Sequence, residues 1–287
     1  MSILRALTPD DLPALQSFLE QHRASSMFLR SNLLQGGLIY GGLHYQGQYV
    51  GCFEDDVLTD VAAHYWNDTV VLQAPQRPLD VAQAVVQNSG RTVTGVLGSW
   101  SQVKIVEPQL DLDRSRLGKV VPEHLYALDL AKLSVPNELA EGQVHHRLAR
   151  KDDLVVLVAW RRVYDRITMG FPEHAISDER NTDMLAGMIE DHRLWVLVNG
   201  DEPVAMSGFS AMLPDTVQVG GVFTPEQHRG QGYARSVVAA SLLEARNAGA
   251  TEALLFTEMD NHPAQKAYEA LGFVNVGDYG MVVLDPS

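Results

Sequence analysis

The stretch Gly220-Gly221-Val222-Phe223-Thr224-Pro225-Glu226-Gln227-His228-Arg229-Gly230-Gln231-Gly232-Tyr233-Ala234 joins a β-rich segment to the start of a helix. Loop amides and the first amides of a helix have no partner inside the helix, and they point outward with the positive end of the helix dipole. Gly230 and Gly232 let a backbone approach an anion without a Cβ atom in the way. Arg229 and Arg235 add positive charge. The stretch therefore predicts an anion site.

The glycine spacing excludes several common phosphate and catalytic loops. A dinucleotide fingerprint, G-x-G-x-x-G, needs glycine at position 235, where Arg235 stands. No G-K-[ST] follows, so a nucleoside-triphosphate loop is excluded, and the hydrolase pattern G-x-S-x-G is absent too. The pattern that remains is Q-x-x-G-x-G, formed by Gln227, Gly230 and Gly232.

A second motif begins at Asn261, which is 29 residues after Gly232 (261 − 232). It reads N-H-P-A-Q-K-A-Y-E-A-L-G-F over Asn261–Phe273. In this order, the two motifs resemble the GNAT superfamily of N-acetyltransferases, whose patterns are [QR]-x-x-G-x-[GA] and N-x-x-A-x-x-x-Y-x-x-L-G-F. The resemblance covers about 144–287 by motif and 1–135 by architecture alone.

The resemblance implies acetyl-CoA as acyl donor and a set of residues that bind it. Glycines inside a strand, here Gly220 and Gly221, are typical of a bulge or a closely approaching ligand. The superfamily's bulged strand binds the pantetheine arm through its backbone, a role that falls on Val222, Phe223 and Thr224. The remaining expected cofactor contacts are Gln227, His228, Arg229, Gly230, Gln231, Gly232, Tyr233, Ala234, Arg235, Asn261, Ala264 and Tyr268.

The implied chemistry is direct transfer in a ternary complex, without an acyl-enzyme. Tyr268 matches the superfamily tyrosine near the sulfur of coenzyme A, and a phenol with an unperturbed pKa of about 10 is a proton donor at neutral pH. Tyr268 as a packed helix residue and Asn261 as a helix N-cap are the structural alternatives.

The general base stays open. Glu258 follows a predicted strand and is the candidate we carry forward, beside Glu173 and His174 in a loop that helps form the acceptor site in relatives. His228 fits phosphate contact better than base work. A relayed water is a further alternative, and each of these side chains is more often simply solvated.

Both halves of the chain show the same order of elements, which predicts an α/β fold with a mixed central sheet flanked by helices, in two tandem copies. Residues 5–15 and 147–157 share the pattern R-x-x-x-x-D-D-L-x-x-L. We place the boundary at the polar stretch Ser134–Glu138, which gives a degenerate domain at 1–135 and a catalytic domain at 140–287. Strands are predicted at 3–7, 48–54, 57–66, 69–74, 92–97, 144–149, 194–199, 204–211, 217–223, 253–257 and at the end of the chain, and helices from 10 and at 79–88, 151–166, 179–191, 231–248 and 262–271.

The first half lacks a matching phosphate loop. Its segment Ala74–Asp80 contains two prolines and no glycine, and proline has no amide to donate. A diphosphate cradle is therefore not expected there.

Composition limits the partners. The net charge is −14, with 10 basic and 15 acidic residues in 1–140 and 12 and 21 in 141–287, so no nucleic-acid partner is expected. No apolar run is long enough to span a membrane, and the first ten residues predict no signal peptide. One cysteine, Cys52, favours a reducing cytoplasm, and the histidine spacing predicts no metal site.

The expected function is acetyl transfer to a primary amine of a small molecule. A non-catalytic module that binds acyl-CoA is the main alternative, and an aminoacyl transferase that uses charged tRNA is disfavoured by the acidic charge. The sequence leaves the oligomeric state open.

Overall fold

A computed structural model describes residues 2–118 and 120–285. The strands are β1 (Ser2–Ala6), β2 (Gly47–Glu54), β3 (Val57–Tyr65), β4 (Thr69–Gln73), β5 (Gly95–Ser99), β6 (Pro122–Asp129), β7 (His145–Leu148), β8 (Leu194–Asn199), β9 (Glu202–Met212), β10 (Thr216–Phe223), β11 (Glu252–Glu258) and β12 (Val274–Val283). The helices are α1 (Leu12–Gln21), α2 (Met27–Gly36), α3 (Pro78–Ser89), α4 (Trp100–Val106), α5 (Asn137–Ala140), α6 (Leu154–Ile167), α7 (Asp178–Glu190), α8 (Tyr233–Asn247) and α9 (His262–Glu269).

Contacts group the chain into two compact units, one of Met1–Leu125 with Gly277–Asp285 and the other of Tyr126–Val276. Strand β12 from Gly277 onward thus belongs to the first unit, and the segment just before the predicted boundary belongs to the second. The boundary of the two copies near Ser134–Glu138 stays a prediction.

The first unit is a sheet with helices on both faces. Its strands lie in the order β1-β2-β3-β4-β5-β12, and neighbours are antiparallel except for the parallel pair β4 and β5. One apolar cluster packs α1 and α2 on the sheet through residues such as Leu15 and Leu29. A second packs α3 and α4 through Val81 and Val103. This is the predicted layer order.

The second unit repeats this plan. Its strands lie in the order β6-β11-β10-β9-β8-β7, with β10 and β11 parallel. The larger apolar cluster lies between the sheet and α8, with Phe209 and Val238 fully buried. A smaller cluster packs α6 and α7 through Leu157 and Leu185. The predicted mixed sheet with flanking helices is confirmed.

The repeated R-x-x-x-x-D-D-L motif forms the same ion pair in each unit. Arg5 donates two hydrogen bonds to Asp11 at 2.7 Å each, and Arg147 donates two to Asp153 at 2.7 and 2.8 Å. In both, one carboxylate oxygen also accepts a backbone amide three residues earlier, at 2.7 Å. These bonds lower the pKa of Asp11 and of Asp153. The motif therefore ties the first strand of each copy to its first helix.

Several predicted bounds were wrong for local reasons. The helix expected from 231 begins at Tyr233, because Gly232 has a φ of +79° and cannot extend it. The strand expected from 92 begins at Gly95, since the amide of Thr94 bonds to the carbonyl of Asp68 at 2.8 Å. The sequence also failed to predict α2, α4 and β6.

Candidate active site

The strand that leads into the glycine loop is distorted at its two glycines. The pairing of β10 with β9 shifts register between Gln218 and Val219, and again between Gly220 and Phe223. Gly221 has a φ of +64°, which side chains other than glycine rarely adopt. The predicted bulge is confirmed, and it takes Gly221 and Val222 out of the ladder before pairing resumes at Phe223 with Met206.

The parallel pairing of β10 with β11 stops before either strand ends. Among the described residues, 2–118 and 120–285, this pairing joins Thr216–Val219 to Glu252–Leu255. Strand β10 continues to Phe223 and β11 to Glu258. The carboxyl ends of parallel strands are where α/β folds place ligands, so both strand ends lie at the expected position for a site.

Side chains at the end of β10 pack to opposite faces. Val222 packs against the cluster under α8, whereas the ring of Phe223 lies 6.1 Å from that of Trp160, between centroids, in the cluster under α6. The hydroxyl of Thr224 is buried and has no hydrogen-bond partner among the described residues. Because the side chains of Val222 and Phe223 pack, the backbone is the part left to meet a ligand here.

Six consecutive amides at the start of α8, those of residues 230–235, have no acceptor among the described residues. The amide of Ser236 is the first that bonds within the helix, to the carbonyl of Gly232 at 3.0 Å. Gly230 has a φ of +77°, and a Cβ built on it would meet nothing within 4 Å. We call residues 230–235 the amide row. It presents donors and the positive end of the helix dipole, with open space beside Gly230 and the side chains of Arg235 and Glu138 beside Gly232.

The loop before the amide row is held by the hairpin of β8 and β9. Nε2 of His228 lies 3.2 Å from Oε1 of Glu202, and the His228 side chain is only 14% exposed. The hydroxyl of Tyr233, which is buried, accepts a hydrogen bond from Nδ2 of Asn199 at 2.9 Å. Two points thus fix the loop from one side, and phosphate contact by His228 stays a prediction.

Positive charge lies beside the amide row. Nε of Arg229 donates to the carbonyl of Thr224 at 3.2 Å, which leaves the rest of an exposed guanidinium available. Nη2 of Arg235 lies 3.8 Å from Oε1 of Glu138, and its Nε is buried without a partner in the described part of the chain. The other predicted contacts are two exposed residues, Gln227 and Gln231, and the half-buried Ala234.

Helix α9 begins beside the end of β11. Oδ1 of Asn261 accepts the amide of Ala264 at 3.3 Å, so Asn261 is a helix N-cap. Tyr268 is half-buried; it packs against the cluster under α8, with its ring 6.1 Å from that of Phe273. Both structural alternatives therefore hold, and neither excludes a contact with a ligand.

The candidate bases differ in their surroundings. Glu258 is half-buried at the carboxyl end of β11, where its carbonyl accepts Nε2 of Gln265 at 3.0 Å. Glu173 is exposed and accepts a hydrogen bond from Nε of Arg162 at 3.0 Å. His174 is exposed. Only Glu258 of these three lies on the strand end next to α9.

Sequence reasoning missed the residues that hold the loop, namely Asn199, Glu202 and Glu138. Glu202 is 26 residues before His228 (228 − 202), and the antiparallel pairing of β9 with β10, which sets Phe223 opposite Met206, brings the start of β9 towards the loop after β10. No local pattern marks such a contact, so nothing in the sequence signalled it.

The Acetyltransferase (GNAT) family model matches residues 159–273, the segment that contains the bulge, the amide row and α9. This segment of the chain is thus similar to the GNAT family of acetyltransferases.

Two curated relatives with similar segments are both acetyltransferases by name. The chain is 48% identical over 48 residues to N-alpha-acetyltransferase 30 of Schizosaccharomyces pombe, which is 17% of this chain and 32% of that protein. It is 29% identical over 104 residues to Mycothiol acetyltransferase of Corynebacterium glutamicum, 36% and 34% of the two chains. The chain thus spans about a third of the length of each of these relatives.

A tandem GNAT protein from the clavulanic acid biosynthesis pathway, in a structure without acetyl-CoA, superposes over 100% of this chain and 99% of that one. The TM-score is 0.53 and the identity 9%. At this identity the likeness concerns the fold, and it confirms two tandem GNAT copies.

Two further features are absent from the described residues. None of their helices has the length and apolar character that crossing a membrane requires. No group of three or more His, Cys, Asp or Glu side chains among them is arranged to hold a metal ion.

Proposed function

We propose that the chain transfers an acetyl group from acetyl-CoA to a primary amine of a small acceptor. One observation carries the proposal, the amide row. A diphosphate needs several donors close together and a backbone that it can approach. Residues 230–235 offer six amides without an acceptor among the described residues, and Gly230 and Gly232 carry no Cβ atom. Arg229 and Arg235 supply charge for the same group.

The remaining steps of the proposal concern the strand ends and α9. The backbone of Val222, Phe223 and Thr224 binds the pantetheine arm and sets the thioester between β10 and β11. The neutral amine attacks the thioester carbon, and the bond from carbon to sulfur breaks. The hydroxyl of Tyr268 gives a proton to the departing sulfur, and Glu258 takes the proton that the amine loses, directly or through water.

The acceptor is proposed from charge and from the family. A net charge of −14 favours the approach of a cationic amine, and both curated relatives carry acetyltransferase in their names. We place the reaction in the cytoplasm on the basis of the single cysteine, Cys52.

Calorimetry with acetyl-CoA, followed by a thiol-release assay over amine classes, tests the proposal. The classes are polyamines, aminoglycosides, amino acids and peptide amino termini. We expect binding, and thiol release that depends on one class of amine. Binding without amine-dependent release from any class would favour the non-catalytic module, and no binding would remove both functions.

A further inference from the structure

The two residues just before α3 in the first unit have amides that are already bonded. Those of Gln76 and Arg77 donate to Oδ1 of Asp60 at 2.8 and 2.9 Å. The hydroxyl of Thr59 donates to Oδ2 of Asp60 at 2.8 Å. Asp60 lies on β3 and is fully buried. A carboxylate at the start of α3 therefore stands where an anion would otherwise bind.

The two hairpins align residue by residue and show which position differs. The β2–β3 and β8–β9 hairpins each close with a two-residue turn, and each shifts register between the second and third pairs from that turn. Asp60 pairs with Cys52 just after this shift, as Ala205 pairs with Leu197. Position 60 thus corresponds to Ala205, and the second unit has a methyl group where the first has a carboxylate.

The loop in front of α3 leaves no other donors of its own, and the first turn of α3 adds only the amides of Leu79 and Asp80. It has four residues, Ala74–Arg77, against nine between β10 and α8, residues 224–232. Pro75 and Pro78 have no amide, so the segment 75–78 carries two amides and Asp60 accepts both. A phosphate that entered here would displace the carboxylate and leave it buried without these partners, which is costly.

We propose that Asp60 is a built-in substitute for the diphosphate, so that the first unit takes up no coenzyme A and each chain binds one molecule. The ligand's identity rests on the proposed function, whereas the role of Asp60 at the start of α3 rests on its own contacts.

Amide hydrogen exchange tests both parts, because a peptide that spans 75–78 reports on Gln76 and Arg77 alone in that segment. In the wild-type chain we expect these amides to be protected without ligand and unchanged by saturating coenzyme A, while exchange at 230–235 slows. Calorimetry should give one site per chain. Asp60→Ala should speed exchange at Gln76 and Arg77 about tenfold or more. Asp60→Asn keeps an acceptor oxygen and should speed exchange at these two amides less. This variant replaces Asp60→Ala in the experiment if the alanine variant does not fold.

Asp56→Asn is the matched control, since it removes one charge from an exposed turn residue whose φ of +66° suits asparagine. It should change neither amide. Two sites per chain, slower exchange at 75–78 with coenzyme A, or full protection in both Asp60 variants would overturn the proposal. If coenzyme A changes no segment, the proposed function fails, while the Asp60 variants still decide the role of that carboxylate.

Discussion

The starts of α3 and α8 occupy the same place in the two copies, yet they differ in how many amides are left without an acceptor. Each helix follows the fourth strand of its copy. At α8, six consecutive amides have no acceptor within the described protein, whereas at α3 the amides of Gln76 and Arg77 are bonded to Asp60 and only those of Leu79 and Asp80 have none. The shared fold therefore supplies a helix dipole in both copies, whereas a few residues determine whether a ligand can bind to it.

The strands that lead into these helices differ in the same sense. Strand β10 shifts register twice against β9, while β4 pairs regularly with β3 from Val61 with Gln73 to His64 with Val70. Bulging at Gly220 and Gly221 frees backbone from the ladder. In the first copy the β3–β4 ladder stays regular, which is consistent with a structural role for that copy.

The largest effect is expected from Gly232→Glu, which closes the open helix start with a negative charge. Like charge beside the diphosphate should weaken coenzyme A binding about 1,000-fold, or ~4 kcal/mol, as measured by calorimetry. Gly249→Glu is the matched control, because Gly249 also has a positive φ, of +107°, at the far end of α8. Equal losses in both variants would mean that strain, and not the amide row, explains the result.

Tyr268→Phe tests whether α9 has chemistry that α4 lacks. Helix α4 follows β5 as α9 follows β11, and it contains no tyrosine. Loss of the proton donor should lower kcat about 100-fold with little change in coenzyme A affinity. Tyr126→Phe, which removes a hydroxyl bonded to Glu269 at 3.0 Å, should leave kcat within about twofold. Wild-type kcat in Tyr268→Phe would remove the proposed acid.

Glu202→Gln tests how strongly the contact between Glu202 and His228 positions the loop before the amide row in the second copy. Its bond to His228 is partly solvated, so we expect a rise of about threefold in KM for acetyl-CoA with kcat unchanged. Steady-state kinetics measure both. Glu54→Gln is the control, because Glu54 directly precedes the equivalent turn (residues 55–56) in the first copy. This variant should change neither KM nor kcat. A fall in kcat alone would place Glu202 in the chemical step.

Asp11→Asn and Asp153→Asn should show the smallest difference between the copies. Each removes the same ion pair, so each should lower the free energy of unfolding by about 1–3 kcal/mol, within about 1 kcal/mol of the other. The hydrogen bond from arginine lowers the pKa of each carboxyl group. Its stabilisation is therefore present above the ordinary pKa of about 3.9 and is lost as the pH falls below it.

Denaturant unfolding at pH 7 and pH 3 measures this contribution, with the exposed neighbours Asp10→Asn and Asp152→Asn as controls. The deficit of each variant should shrink at pH 3. A deficit that stays constant, or one confined to a single copy, would contradict the equivalence of the two motifs.

Local backbone signals explain what the sequence could predict. Glycines at 220, 221, 230 and 232 predicted the bulge in β10 and the unbonded amides at the start of α8, because positive φ values and close approach favour glycine. The spacing from Gly232 to Asn261 then located α9. The Arg5–Asp11 and Arg147–Asp153 pairs were also within reach, since each lies within seven residues of chain.

Contacts that depend on strand register could not be predicted from the sequence. Asp60 meets Gln76 across 16 residues of chain, and Glu202 meets His228 across 26, so no local pattern marks either one. The prolines at 75 and 78 predicted a copy without a phosphate loop, but they gave no sign that a carboxylate fills the place. Helix α4 was missed because it follows β5 without an intervening loop.

A crystal structure with bound coenzyme A would show where the diphosphate lies on the chain. We expect diphosphate oxygens within about 3.2 Å of several amides of residues 230–235, with the amides of Gln76 and Arg77 still bonded to Asp60. A diphosphate bound elsewhere on the chain, with that row of amides facing solvent, would contradict this expectation.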